Sequence, residues 1–492
     1  MSLKHWALVG GAVACLNAYS AVAAPWVKPG DARARFAIQK LADRGHIEAS
    51  ITTWPISWVD ATAGKQSAAQ DQQAVGMASA YLSFEKEQQA TEGFRGEFNV
   101  RAQNEVLGIT GFEQTGTGKA ETSVNLQWQG SFWGLGLNPT YTHEPDDDKE
   151  LRLDGSYLAV NPCNWVLGAG AIDRWWGPGW QSSLILSNNA RPMPTVWLSR
   201  NRTEAPETEW LNWIGPWQFT AFLGQYESSR QVPDAKLMGV RLAFQPIDNL
   251  DIGFSRAIMY GGEGRPEGFS TLWDAFTGKD NGQNGANDPG NQLGSIDARY
   301  GFTIGDQTIG LYAQIMGEDE AGAFPSRKSW LLGADWTTQW FEADQQWFLE
   351  YANTTADDFL GEARPGITYD HSRYQTGYRY YGRNQATSLE GDAEAITLGA
   401  YHFMTTGSNL SARVTYAELN KAGQAMPQGT DPDVFYNVPI KGQKVAIANL
   451  GYGTEVLNGW LDISLQASDK AIEYISGEKD QLSASASWTY RF

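Results

Sequence analysis

Apolar and polar residues change rhythm once along this chain, near Phe94. Before that point the apolar positions recur at helical spacing. In Asp31–Arg44 (DARARFAIQKLADR), Ala34, Ile38 and Leu41 share one face with Ala37; Asp31 stands where an N-cap belongs and Gly45 ends the run. A short helix is predicted near Trp58–Ala63. A third is predicted over Gln70–Gln89, with Val75, Met77, Ala78, Leu82 and Phe84 turned inward. A helical unit of about seventy residues lies near the lower limit for burying its own core, so it is expected to dock on something larger.

Beyond Phe94 the period is two. In the final segment Leu482, Ala484, Ala486, Trp488, Tyr490 and Phe492 alternate with Ser483, Ser485, Ser487, Thr489 and Arg491. A strand facing lipid on one side and a lumen on the other has this alternation. Comparable segments begin near Phe94, Thr122, Ser131, Leu151, Trp165, Thr195, Trp217, Leu237, Leu250, Gly294, Gln307, Ser329, Gln346, Ala395, Asn409, Lys444, Gly459 and Gln481. About eighteen antiparallel strands are therefore predicted, an even number, as a closed single-chain transmembrane barrel requires.

The connections alternate in length. Gly130, Asn161–Asn164, Gly305-Asp306, Thr405–Ser408 and Glu455–Asn458 are short, whereas Ala102–Glu121, Pro139–Glu150, Met259–Leu293, Gly317–Lys328, Asn353–Glu394 and Leu419–Gln443 are long. Arg202–Pro216 fits worst, being long where a short turn is due. This parity places the helical unit and Phe492 together on the short-turn side, the periplasmic side of such barrels, with the long loops at the cell surface.

Lys4, the apolar run Trp6–Leu16 and Ala21-Val22-Ala23 read as an export signal cut after Ala23, the run being too short to span a bilayer as a helix. The expected organisation is a signal peptide over 1–23, a periplasmic helical bundle over 24–92 and an outer-membrane barrel over 93–492. Losing Lys4 takes the formal charge from −19 to −20, which disfavours nucleic acid. Cys163 then remains alone, so no intramolecular disulfide is expected. The 53 Gly, 20 Phe, 21 Trp and 20 Tyr, without a later long apolar run, fit a membrane barrel better than a large soluble all-β protein.

The stretch Ala171–Trp197 (AIDRWWGPGWQSSLILSNNARPMPTVW) gathers Trp175, Trp176, Trp180 and Trp197 around Gly177-Pro178-Gly179, Arg191 and two further prolines. Prolines at this density exclude a regular helix or a central strand. Two readings follow: a packed plug in the lumen or at its mouth, or an aromatic platform that stacks sugar rings. No catalytic set stands out. The five histidines show no paired metal spacing, no G-x-S-x-G is present, and neither a metal nor a cofactor is expected.

LADRGHI followed by TTWP, then RWWGPGW, NNARPMP, EAPETEWLNWIGPWQ, VPDAK, GGEGRP, FSTLWDAFTG, DPGNQL and MGEDEAG occur in this order. With these motifs the chain resembles the Wzi-type capsule assembly proteins of Gram-negative outer membranes over nearly its whole mature length. The resemblance implies an eighteen-stranded outer-membrane barrel with a periplasmic helical bundle. It also implies a lectin-like, non-enzymatic role in attaching and organising exported capsular polysaccharide or exopolysaccharide. The expected partners are lipid, lipopolysaccharide and, because a terminal Phe492 on such a strand resembles an assembly signal, the barrel assembly machinery during biogenesis, with a monomeric protein. The departures lie mostly in Asn353–Glu394 and Leu419–Gln443, and they leave the glycan open. A channel for small solutes is the alternative; an enzyme would need a nucleophile–base pair that the sequence does not offer.

Within the longest loop, Tyr369–Arg383 (YDHSRYQTGYRYYGR) is unusually basic. If extended, it projects Arg373, Arg379 and Arg383 from one face and Tyr374, Tyr378 and Tyr380 from the other, a pattern suited to uronic-acid carboxylates and sugar rings. The competing reading pairs these arginines with Asp370, Asp392 and Glu394. Arg265 and Trp273, in Gly261–Trp273, form the second candidate site.

Overall fold

The computed structural model describes residues 26–62, 72–113, 115–277, 290–318, 328–357, 362–424, 427 and 436–492. The leader-like segment and its cleavage site after Ala23 lie outside these residues. From Gly93–Gln103 to Leu482–Arg491 the chain forms eighteen antiparallel strands, and the last pairs with the first from Ser485↔Gln103 to Arg491↔Glu97, closing a barrel. The third strand is broken between Trp133–Leu137 and Thr140–Pro145, and the fourth between Leu151–Arg152 and Tyr157–Val160.

Each strand begins within four residues of the position read from the alternation. The largest offsets are Gly118 against Thr122 and Gly290 against Gly294. Their cause is local: Lys119 and Glu121 share one face and the other holds only Gly118 and Ala120, so no large apolar side chain marks that end, while Gly290–Leu293 is buried on both faces and does not alternate.

The faces are inverted relative to a soluble protein. In Glu394–Phe403, Ile396 and Leu398 are each 48% exposed while Thr397 between them is buried. Outward Leu332, Leu349, Leu450 and Leu482 continue this apolar wall, and Arg241, Asp297, Arg299, Asp335 and Glu350 are buried inside. The apolar face meets hydrocarbon, and the barrel pairs every strand edge, so neither face needs water for its backbone.

Three helices precede the barrel: α1 (Ala32–Asp43), α2 (Trp58–Ala61) and α3 (Gln72–Ala90). Asp31 caps α1 through the Ala34 N–H at 2.8 Å, and Ser57 caps α2 through Asp60 N–H at 3.2 Å. Ala34, Ala37, Ile38 and Leu41 of α1 and Val75, Ala78 and Leu82 of α3 are buried together with Phe348, Tyr401 and Phe403 of the barrel. The helical unit thus completes its core with the barrel interior. Met77 is only half-buried and Phe84 is exposed. Phe84 lies nine residues beyond Val75, half a turn round the helix, so both cannot face inward. Glu85 is buried instead, where it accepts from Arg491 at 3.0 Å.

The helices sit at the end of the barrel that carries the short turns. Arg44 donates to Gly305 O, Asn249 to Asp43 O at 3.0 Å, and Thr203 Oγ1 to Glu48 O at 3.1 Å. The connection Arg202–Pro216 owes its length partly to this docking: Thr203 N–H donates to Asp60 at 3.2 Å, and the loop then folds into a 3-10 turn at Asn212–Ile214.

Cys163 is disulfide-bonded; the other cysteine of the sequence, Cys15, lies outside the described residues, and the expectation of a lone Cys163 concerned a chain cut after Ala23.

Burial pushes the Asp60 carboxyl up to about 7, against the Thr203 hydrogen bond, which pulls it down. Protonation therefore favours the docked helix. The stability from Asp60 is fully present below the unfolded carboxyl range and is lost as pH rises through about 7. Protease protection of residues 26–62 should fall between about pH 4 and pH 8. Asp60→Asn should flatten that dependence, and an unchanged profile in the variant would assign it to another group.

Candidate functional site

The stretch Ala171–Pro194 leaves the wall between two neighbouring strands and runs through the lumen. Trp175 and Trp176 pair antiparallel with Trp54 and Thr53, and Gly177 N–H donates to Thr52 O at 2.9 Å. Arg35 of α1 reaches up to donate to Gly179 O at 2.9 Å and Pro178 O at 2.6 Å, its guanidinium 4.2 Å from the Trp180 ring centroid. Burial pulls the Arg35 pKa down to about 10, where the group is still charged at neutral pH.

The wall holds the same turn from the side. Glu350 accepts the N–H groups of Trp180 at 2.8 Å, Gln181 at 3.2 Å and Ser182 at 2.7 Å, and Tyr312 Oη at 3.1 Å. A Cβ at Gly179 would fall 2.1 Å from Ser182 O and 2.9 Å from Glu350 Oε2, so only glycine allows this approach. Trp175, Trp176 and Trp180 are at most 1% exposed, and Trp197 is buried on the wall. Phe112 meets Trp175 edge-on, Phe222 lies 5.5 Å from Trp176, and Phe348 stacks on Trp180 at 13°. No face of these indoles is open to a sugar ring, and their surroundings fit packing within a plug. Arg191, half-buried, is held by Asp154 at 2.7 Å and by Asp147.

The long segment after Asn353 covers the plug from the loop end. Tyr369 Oη donates to Leu184 O at 2.8 Å, Ser187 N–H to Gln385 O at 2.7 Å and Asn189 Nδ2 to Asn384 O at 2.8 Å. Tyr369–Arg383 is not one extended strand: Arg379-Tyr380 and Arg383-Asn384 pair as a tight hairpin. This corrects the two-faced arrangement read from sequence. Arg379 is fully buried, gripping Glu390 at 2.8 Å and Asp370 at 2.7 Å. Arg383 is buried against Asp146 at 2.9 Å, and Tyr374, Tyr378 and Tyr380 are buried as well. The physical reason is the lumen: buried carboxylates there need guanidinium forks, and the tyrosines fill the space around them. Of the carboxylates suggested as local partners, Asp370 serves, Glu390 takes the second place, and Asp392 and Glu394 contact Ala422 and Lys421 instead.

Arg373 remains near the surface. Arg265 donates to Arg373 O at 2.7 Å, and its guanidinium lies 4.4 Å from the Tyr374 ring centroid, so the two candidate loops meet there. Trp273 stands apart, on a helix against the outside of the barrel. Beside Arg373 opens a cleft of about 520 Å³ at the loop end, lined among others by Glu318, Arg364, Asp370, His371, Ser372 and Gln375. This volume lies in the range of small-molecule clefts, about 300–1,000 Å³. Arg364, Ser372 and Gln375 gave no sequence signal, because isolated polar loop residues look solvated until a wall forms behind them. Glu318, the first residue of an acidic run, accepts the Tyr369 N–H; Asp319 and Glu320 lie outside the described residues.

Three comparisons bear on what this architecture is. A Klebsiella pneumoniae protein described as an uncharacterized 55.8 kDa protein in the cps region is 34% identical over 328 residues, covering 64% of this chain and 62% of that protein's own length. A solved structure, described as Wzi, an outer membrane protein involved in group 1 capsule assembly in Escherichia coli and a carbohydrate-binding β-barrel, superposes with a TM-score of 0.81. It is 27% identical and covers 95% of this chain and 100% of its own. The family model for capsule assembly protein Wzi matches residues 108–483, well over half of the sequence, and the chain belongs to that family of outer-membrane β-barrels.

Proposed function

We propose that the protein is a lectin-like surface platform that holds exported capsular polysaccharide or exopolysaccharide, with the loop-end cleft and its rim as the contact. The observation that carries this reading is the filled lumen: helix, plug and loop pack in succession from the short-turn end upward, so the loop end is the surface left for a polymer. Membership of a capsule assembly family and a carbohydrate-binding relative point the same way. Capsule assembly is a family role without a reaction to catalyse. In this arrangement residues 24–92 lie in the periplasm, 93–492 form the barrel in contact with lipid and lipopolysaccharide, and the loops face outward. The terminal strand ending at Phe492 suits recognition by barrel assembly machinery.

Arg364 is the cation in the cleft lining and Arg373 follows the lining residue Ser372 in the chain; a guanidinium binds a carboxylate through paired hydrogen bonds. His371, Ser372 and Gln375 add neutral donors and acceptors on the same wall. Replacing both arginines with alanine should lower retention of an acidic polymer on cells several-fold, while heat-modifiable migration of the barrel stays normal. The loss should be larger at low salt, because salt already screens exposed charge contacts in the unaltered protein. Unchanged retention by a correctly assembled double variant would move the contact away from this cleft. Arg379→Ala is unsuited to the test, since it strips the counter-charge from two carboxylates that hold the loop.

A further inference from the structure

We infer that α4 (Phe269–Thr277) is a membrane-interface anchor whose aromatic face rests in the outer leaflet, at the boundary of lipid headgroups and acyl chains. The helix leaves the loop end after Leu250–Tyr260 and folds back along the outside of the barrel. Leu272 packs on Ile258 and Tyr260, together with Met238 of the neighbouring strand. In Leu250–Tyr260, Asp251, Gly253, Ser255, Ala257 and Met259 are buried toward the lumen, so Ile258 and Tyr260 project with Phe254 to the lipid side. Phe254 is 44% exposed, as the apolar wall requires, whereas Ile258 and Tyr260 are buried, with Leu272 of α4 packed against them.

The apolar stripe that carries Leu272 continues round α4 beside it. Phe269, Trp273 and Phe276 are 78%, 50% and 38% exposed, and their rings stack in sequence at 6.4 and 6.1 Å. Spacings of four and three residues put them on one helix face. A soluble loop rarely leaves three contiguous large aromatics in water. Here they extend the lipid-facing wall without interruption, and aromatic residues concentrate at membrane interfaces.

Charge fixes the depth. Lys236, opposite Tyr260 in the strand register, lies 3.9 Å from Glu267, just before α4 begins, which marks a polar level. Four residues down the strand, Arg256 projects outward among Phe254 and Ile258. It donates to Phe276 O at 2.8 Å, near the C-terminal, negative end of α4. The helix thus shields a guanidinium on the membrane face and runs from the headgroup level toward the acyl chains.

This inference does not depend on the polysaccharide reading. Full-length protein and Trp273→Phe are reconstituted into phosphatidylcholine vesicles whose acyl chains are brominated near the headgroup. The difference between the two emission spectra isolates Trp273 from the other tryptophans, and the substitution is conservative enough to keep the fold. The difference signal should be blue-shifted, and roughly half of it should be quenched by the brominated lipid, as expected for an indole at the interface. Aqueous iodide should leave it largely intact. Quenching by iodide with no effect of brominated lipid would overturn the assignment, as would protection by added acidic polysaccharide in place of lipid quenching.

Discussion

Deleting Arg174–Arg191 should turn a closed barrel into a conducting pore. A wall of this strand number encloses an aqueous channel when nothing occupies it. Here the occupant is one segment clamped from three directions: Arg35 below, Glu350 at the side, Tyr369 and Asn384 above. Gly170 and Thr195 pair across the base of the segment, so Ala171–Asp173 and Pro192–Pro194 can close the hairpin without strain on the wall. The freed lumen would fill with water and solvate Glu350, Gln314 and Arg35, so the barrel should survive. In planar bilayers, conductance should rise by at least about an order of magnitude over the intact protein, which should show no steady open-pore current. Glu350→Ala should give an intermediate result. It orphans three backbone N–H groups, each costing about 1–3 kcal/mol when buried unpaired, and should loosen the turn enough for brief openings. Steady current through the intact protein would falsify the plug reading and revive the channel alternative.

Arg299→Ala should release the helices from the barrel. Arg299 donates to both oxygens of Asp43 on α1, at 2.6 and 2.8 Å, and to Asp335 on the adjoining wall at 2.8 and 3.1 Å. All three side chains are nearly inaccessible. The packing leaves no slack: a Cβ at Gly301 would sit 1.8 Å from Asp43 Oδ1, and one at Gly310 2.3 Å from Arg299 Nη2. Asp43 also ends its helix, where a negative charge opposes the helix dipole. Burial already raises its pKa, and Arg299 is the main opposing influence. Removing the cation should cost about 3–5 kcal/mol, the usual penalty for stranding a buried partner. Trypsin should then cut at Lys40 and Arg44 in protein whose strands remain resistant. Arg299→Lys should rescue only in part, since an ammonium cannot fork across two carboxylates. An unchanged digestion pattern for Arg299→Ala would show that apolar packing of α1 suffices.

Both experiments probe the same design, a barrel whose interior is a polar core. Arg241 repeats it one layer across, joining Asp297 at 2.6 Å to Thr52 and Thr53 of the segment after α1. The wall and its contents are therefore mutually dependent: Arg241, Arg299 and Glu350 are each answered from the helical unit, the plug or a neighbouring strand. A buried charge pair adds little net stability over an apolar filling but is severe to break, so such pairs fix position more than they add strength.

How far the chain could be read follows from the range of each interaction. Strand number, strand starts and the three leading helices were legible because lipid, lumen and helix docking each impose a repeat that recurs every two to four residues. The contrast between Ile396 and Thr397 needs no knowledge of partners. Phe84 was misplaced where helical pitch, read loosely, put opposite faces together. The fate of Arg379, Arg299 and Glu350 depends on residues brought near only by closure: Glu350 meets Ser182 across 168 positions, and Arg299 meets Asp43 across 256. From sequence, a basic loop rich in tyrosine looks the same whether it faces water or lines a lumen, since both settings favour polar side chains. Local periodicity determined that this chain closes into an outer-membrane barrel. Only the tertiary structure decided that the barrel is filled, and that the tyrosines of Tyr369–Arg383 lie under its surface, because charge and aromatic burial are settled by which neighbours exclude water.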